Sequence, residues 1–308
     1  MNTNSSRQRW ARLQSGFTLL ELMVVCAILA IVLGAVFQGI NTITQRSQAE
    51  QVKVDMTQAG REFVDEFERD MHQVGYPNCR MVATIISGVP TNCPADSTNT
   101  TTTTVAENPT IAVGLVHVDN TKIVFEGDMD GDGTVENVEY KLVDANGTNP
   151  PASCPCVLQR SQISKPSSPV ALPWSNLPRT FYQELQNVVN SGQPTYPAFY
   201  GGGAPISGNT SWGVSNTTYY AALSTFKDYP VFQAYDQFGS LVQLPRDLGT
   251  AGGADTPILT CSISSVRCIK SIRLTINLLA NATTGVDLQT KVRPVTTLVG
   301  SARLVNNF

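Results

Sequence analysis

The chain has 308 residues and a mass of 33.2 kDa, with 42% hydrophobic residues but only 15% charged ones, against about 25% charge in an average soluble domain. A net charge of −3 gives nucleic acid no electrostatic footprint, and two histidines leave little material for His-based catalysis or His-rich metal sites. Abundant Gly and Pro, with an excess of Thr, Ser and Asn, favour turns and polar strands over a helical bundle.

Charge at the N-terminus is uneven. Residues 1–16 carry Arg7, Arg9 and Arg12 without an acid and end in Gly16. From Phe17 to Phe37 the chain reads FTLLELMVVCAILAIVLGAVF, with Glu21 its one charge. That is about the twenty residues a membrane-spanning helix needs. Arginines ahead of the span predict a cytoplasmic N-terminus and an exported C-terminal bulk. A secretory signal would place its small cleavage residue after the apolar core, whereas Gly16 stands before it. Cutting there keeps the helix as an anchor. The stretch Gly16-Phe17-Thr18-Leu19-Leu20-Glu21 resembles the class III signal of type IV pilins and type II secretion pseudopilins. The resemblance implies a prepilin peptidase cutting after Gly16, N-methylation of Phe17, and Glu21 at the fifth mature position. Two readings of Glu21 stand side by side. Thr18 and Glu21 have capping-box spacing, which satisfies N–H groups at a helix start. The family implies instead that Glu21 pairs with the terminal amine of a neighbouring subunit, and an ionisable group inside a membrane defaults to function.

Beyond the span, Val52, Met56, Phe63, Phe67, Met71 and Val74 recur every three or four residues, with Ala59 filling the longest gap, and charged residues occupy the other face. The pattern predicts one helix from Thr18 to Val74, stopped by Gly75-Tyr76-Pro77. The remainder reads mainly as strands: Met81–Val89, Ile111–Val118, Lys122–Glu126, Val135–Val143, Val157–Ser164, Ile258–Ser264 and Cys268–Leu279. A break of alternation near Lys270-Ser271 suggests a bulge in the last of these. Phe181–Val189 reads as a short helix. Segments 166–178, 192–213 and the low-complexity 97–104 read as loops.

A large β-rich head after this N-terminus resembles the PilW group of minor pilins, with the type II secretion minor pseudopilin J as a relative. Ser301-Ala302-Arg303-Leu304-Val305-Asn306-Asn307 is loosely similar to that group's final strand. The implied fold is α+β and pilin-like. It comprises a leader at 1–16, a transmembrane half-helix at 17–37, an amphipathic half at 38–75 and a periplasmic or extracellular head at 76–308. The implied role is a non-enzymatic minor pilin that starts pilus assembly or sits at its tip. Its partners would be other major and minor pilins, the prepilin peptidase and the inner-membrane assembly platform, with no nucleic acid. It would be held in the inner membrane by a single pass before it joins the pilus.

Of seven cysteines, Cys26 falls in the span and serves as a small apolar residue. The others, Cys79, Cys93, Cys154, Cys156, Cys261 and Cys268, form an even set suited to disulfides in an oxidising compartment. Proximity pairs Cys79 with Cys93 and Cys261 with Cys268, which leaves Cys154 and Cys156 around Pro155. A bridge across one residue must fit a narrow Cα separation. Zinc lacks the usual C-x2-C spacing here, and C-x-C is not the C-x-x-C thiol motif.

The most specific chemical signal is Asp128-Met129-Asp130-Gly131-Asp132-Gly133-Thr134-Val135-Glu136-Asn137-Val138-Glu139, which fits D-x-D-x-D-G-x5-E throughout. Calcium takes six to eight hard oxygens. Asp128, Asp130, Asp132, the Thr134 carbonyl, Glu136 and a bidentate Glu139 can supply them, and no organic cofactor is indicated. Strand-like flanks argue against a helix–loop–helix, and a hairpin turn at Asp132-Gly133 is the plainer alternative. If the strand runs through Glu139, that carboxylate points away. Hydrolase and phosphate-loop motifs are missing, and His72 and His117 have no nucleophile pattern beside them, which argues against an enzyme. Beside the minor-pilin reading stand a type II secretion pseudopilin and a tip adhesin whose loops carry Trp174, Tyr196, Phe199, Tyr200, Trp212, Tyr219 and Tyr220.

Overall fold

The computed structural model describes residues 18–78, 81, 109–151, 154–165, 177–190, 229–247, 269–280 and 295–306. Two compact units are present, Met1–Ser47 and Gln48–Phe308. One helix, α1 (Leu19–Gln73), runs through 55 residues. Its start is set by Thr18, whose Oγ1 accepts the Glu21 backbone N–H at 3.3 Å, an N-cap that satisfies one orphan donor.

From Leu19 to Phe37, α1 is apolar on every side apart from Glu21. Leu19, Leu20, Met23, Ile31 and Phe37 are all exposed, and an 18-residue window reaches a mean hydropathy of 2.8. A helix apolar all round belongs inside a membrane or a large core. By length and composition this one can cross a membrane.

In the second unit the rest of α1 becomes amphipathic and lies on a sheet. Its buried residues are Gly60, Phe63, Phe67, Asp70 and Met71, close to the expected stripe but with two changes. Ala59 is exposed and Gly60 takes the buried position instead, because a Cβ there would run into the Leu298 side chain. Asp70 is the unexpected polar member.

Among the described residues the sheet has ten strands: β1 (Leu115–Val118), β2 (Lys122–Gly127), β3 (Glu136–Val143), β4 (Cys156–Ser164), β5 (Tyr182–Val188), β6 (Phe232–Tyr235), β7 (Leu241–Val242), β8 (Arg246–Asp247), β9 (Ser271–Leu279) and β10 (Val295–Arg303). Their order is β7-β6-β9-β5-β4-β3-β2-β1-β8, with β10 also on β9. Among the described residues every strand pair, from the β2–β3–β4 meander to β9–β10, is antiparallel. This is the expected α+β arrangement of a long N-terminal helix and a β-rich head.

Four expectations need correction. The segment 181–189 is strand β5, not a helix. Its buried residues Leu185 and Val188 stand three apart, a helical spacing, but Asn187 has φ 60° and the β4–β5 register slips. A bulge of this kind shifts the alternation by one residue. The strand foreseen from Ile111 begins only at Leu115, after Gly114 at φ 89°. The bulge foreseen near Lys270-Ser271 is replaced by the start of β9, whose nine pairs with β10 run without a break. The last strand spans Val295–Arg303 and so begins and ends earlier than the 301–307 segment. Of the strand foreseen at Met81–Val89 only Met81 is described, and it is helical; the rest of it and the strand foreseen at Ile258–Ser264 lie outside the described residues.

Aromatic rings join helix to sheet. Phe67 lies 5.6 Å from Tyr140 and 5.9 Å from Phe232, and Phe63 lies 5.8 Å from Tyr140, centroid to centroid. Edge-to-face pairs such as Phe67–Tyr140 add about 0.5–1.5 kcal/mol to the area they bury. Below them Tyr140 Oη donates to Asp70 Oδ2 at 2.7 Å, and Arg160 donates to the same oxygen through Nε at 3.0 Å and Nη2 at 2.8 Å. Burial, reinforced by the Asp70 charge, pushes the Tyr140 phenol far up, so it stays protonated and donates. Backbone bonds also hold the segment after the helix: Gly75 N–H donates to the Glu126 carbonyl and Asp128 N–H to the Tyr76 carbonyl, both at 2.8 Å. Gly127 between them has no room for a Cβ, because the Gln73 carbonyl occupies the place.

Candidate functional site

The acidic loop joins β2 to β3 and begins where the end of α1 is pinned. Its form comes from its own carboxylates. Asp128 accepts the N–H groups of Gly131 at 2.8 Å and Gly133 at 3.1 Å. Asp130 Oδ1 accepts Asp132 N–H at 3.2 Å, and Asp132 Oδ1 accepts both Thr134 N–H at 2.7 Å and the Thr134 hydroxyl. Gly131 and Gly133, at φ 78° and 87°, make the turns that L side chains resist. Glu136 reaches back to accept Met129 N–H at 2.8 Å.

This folding brings Asp128, Asp130 and Glu136 together, with one oxygen from each within 4.8 Å of the others. Burial, then the charges of Asp130, Asp128 and Asp132, push the Glu136 carboxyl up, while the Thr134 hydrogen bonds hold exposed Asp132 down. Glu139 does not join them. Side chains alternate along a strand, so Glu136 and Glu139, three apart in β3, face opposite ways. Glu139 instead pairs with Arg179, Oε2 to Nε at 3.1 Å. The loop is flanked by strands, as expected, and offers three converging carboxylates with Asp132 and Thr134 beside them.

Gly16 and Phe17 lie outside the described residues. Glu21 lies in the first turn of α1, and its carboxylate has no hydrogen-bond or ion-pair partner among the described residues. Thr18 caps the helix, but the reciprocal half of a capping box is not made. Cys154 and Cys156 form a disulfide, buried at the head of β4. Cys26 is a free, exposed cysteine of α1. Cys79, Cys93, Cys261 and Cys268, and the loop aromatics from Trp174 to Tyr220, lie outside the described residues.

The sequence shows no nucleophile pattern beside His117, and the structure places it between two carboxylates. Nδ1 lies 2.5 Å from Asp247 Oδ1 and Nε2 3.1 Å from Asp119 Oδ2. His117 and Asp119, two apart, share a face, which is the one local hint. Asp247 is its register partner in β8. A ring that donates at both nitrogens must be charged. Burial and Lys122 oppose that charge, but Asp119 and Asp247 outweigh them and hold the His117 pKa above its ordinary value. Burial likewise opposes the Asp119 carboxylate, and the His117 and Thr121 hydrogen bonds overcome it and lower its pKa.

A raised histidine contributes stability that is fully present below its unfolded-state pKa, about 6.5, and is lost as pH rises through the folded value. The lowered Asp119 contributes above the ordinary carboxylate range and loses its share as pH falls through its folded value. The clamp is therefore strongest in mildly acidic solution. Between about pH 8 and pH 5 the melting temperature of the head should rise by the equivalent of about 1 kcal/mol. The gain is modest because Asp247 is half exposed. His117→Gln should flatten that slope. A variant that keeps the slope would mean that other groups set it.

No curated protein and no solved structure matches the chain. Residues 11–37, which contain Gly16, Phe17 and Glu21, match the family model described as the prokaryotic N-terminal methylation motif, and in that stretch the chain is similar to type IV pilins and pseudopilins.

Proposed function

We propose that the chain is a minor type IV pilin of the PilW kind, a non-enzymatic filament subunit that helps to start pilus assembly. The observation that carries this reading is the methylation motif at 11–37 running directly into an apolar helix. Cleavage after Gly16 by the prepilin peptidase and methylation of Phe17 would leave that helix as anchor. Arg7, Arg9 and Arg12 favour a cytoplasmic N-terminus, with the head in the periplasm until the subunit enters the pilus. Other major and minor pilins and the inner-membrane assembly platform are its partners in this reading.

Glu21 supports it further. A carboxylate left alone in hydrocarbon costs roughly 2.5–3.5 kcal/mol, and the terminal amine of a neighbour would offset that. In cells that make the pilus, mass spectrometry should find N-methyl-Phe17 at the mature terminus. An unprocessed Met1 end there would refute the proposal. Glu21→Gln should be processed normally yet enter filaments poorly, whereas normal entry would leave Glu21 a helix-start residue.

The acidic loop supports a calcium site in the same head. Asp128, Asp130 and Glu136 would hold the ion, with Asp132 and Thr134 adjacent, and the ion would supply charge neutralisation and a fixed loop. Glu136 is already pushed up partly by its acidic neighbours, a repulsion that a cation removes. With calcium at about a hundred times Kd, a site absent from the unfolded chain adds about 2.7 kcal/mol. The head should melt higher in calcium than in chelator, and Asp130→Ala should erase the difference. Equal melting temperatures in both would leave the loop as a hairpin turn.

A further inference from the structure

A second buried cluster lies on the face of β2, β3 and β4 turned away from α1. Phe125, Val138 and Tyr140 belong to the core with Phe63 and Phe67, so by alternation Glu126, Asn137 and Glu139 point the other way. Glu126 stands directly opposite Asn137 in the β2–β3 register, a placement that brings Cβ atoms to about 4.5–5.5 Å. Lys165, the residue after β4, donates its backbone N–H to the Val135 carbonyl at 2.8 Å and so prolongs the β3–β4 ladder. Its Nζ lies 2.7 Å from Glu126 Oε2 and 2.7 Å from the Ile111 carbonyl. Glu126 on β2 and Lys165 beyond β4 can meet only by reaching over β3. Asn137 stands on β3, on that same face.

The site is dry. The side chains of Lys165 and Glu126 have no exposure, and neither has Asn137. Arg179 donates Nη1 to the Asn137 backbone carbonyl at 3.3 Å and Nη2 to Asn137 Oδ1. Among the described residues, Asn137 Nδ2 and Glu126 Oε1 have no hydrogen-bond partner. An amide whose oxygen is held by a guanidinium, whose nitrogen is unheld, and which shares one buried strand face with an amine and a carboxylate is placed for acyl transfer.

We propose that Lys165 and Asn137 form an intramolecular isopeptide bond, with Glu126 carrying the protons. In a buried ammonium–carboxylate pair, passing the proton removes two desolvated charges. Lys165 Nζ gives its proton to Glu126 and attacks Asn137 Cγ. The oxygen of the tetrahedral adduct stays on Arg179, a charge-assisted contact fixed in advance. Glu126 relays a proton from Nζ to Nδ2, the Cγ–Nδ2 bond breaks, and one molecule of ammonia leaves. The Nζ–Cγ amide remains and Glu126 keeps the proton that the ammonium gave up. No oxidant or second reactant is required.

Tryptic digestion and mass spectrometry of the purified full chain test this directly. Lys165 precedes Pro166 and is not cut, so residues 123–141 and 161–179 are each released as one peptide. The expected product is a single branched species joining them, lighter than their sum by one ammonia. Two linear peptides at full mass would overturn the proposal. Lys165→Arg should return the linear pair. Glu126→Gln, with the head shown to be folded by its melting transition, should do the same, and a branched peptide in that variant would overturn the proton-carrying role.

Discussion

Phe67→Ala is expected to destabilise the head by about 3–5 kcal/mol, as loss of a large core aromatic does. Phe67 is fully buried, and its ring touches Phe63, Tyr140 and Phe232, from α1, β3 and β6. Three elements far apart in the chain meet on one side chain, so no single neighbour can collapse into the gap. Urea unfolding of the variant should show a midpoint lowered by that amount with an unchanged slope. A loss below about 1 kcal/mol would mean that α1 is not fixed to the sheet by its rings.

Asp70→Ala should cost as much, about 3–5 kcal/mol, for an electrostatic reason. Asp70 is 3% exposed, and one of its oxygens accepts from Tyr140 and twice from Arg160. Removing it leaves a guanidinium and a phenol in the core edge without their acceptor. The paired change Asp70→Leu with Arg160→Met removes both sides and should recover most of the loss. Unfolding curves for the two variants decide between attraction and simple packing. If the double variant is as unstable as the single, the pair matters for its shape and not for its charge.

The sequence makes some of this head plain and hides the rest. Phe63, Phe67 and Met71 repeat at helical spacing, so the packing face of α1 can be read directly. β2, β3 and β4 are long enough for alternation to emerge, and their turns are marked by Asp and Gly. β6, β7 and β8 have four, two and two residues, too few for any period to declare itself. β5 conceals its alternation behind the bulge at Asn187. The acidic motif is local and so is legible, but the placement of Glu139 depends on where β3 starts, which the motif does not contain. Charge partners are the least visible feature. Asp70 and Arg160 are 90 residues apart, and His117 and Asp247 are 130 apart, and nothing in either segment names the other.

The contact of α1 with β10 governs the order in which the head can be completed. Gly60 receives Leu298, Val64 lies against Gly300, and Ser301 N–H donates to Glu68 at 2.9 Å across 233 residues of chain. A chain that emerges N-terminus first exposes this flank of the helix until nearly the whole head has followed. Once β9 has emerged, its edge too stays open until β10 pairs with it and can accept a foreign strand. Closure over so long a separation is slow. The interval before β10 pairs is therefore when this protein is most exposed to aggregation and proteolysis, and substitutions in β10 should lower its yield more than its final stability.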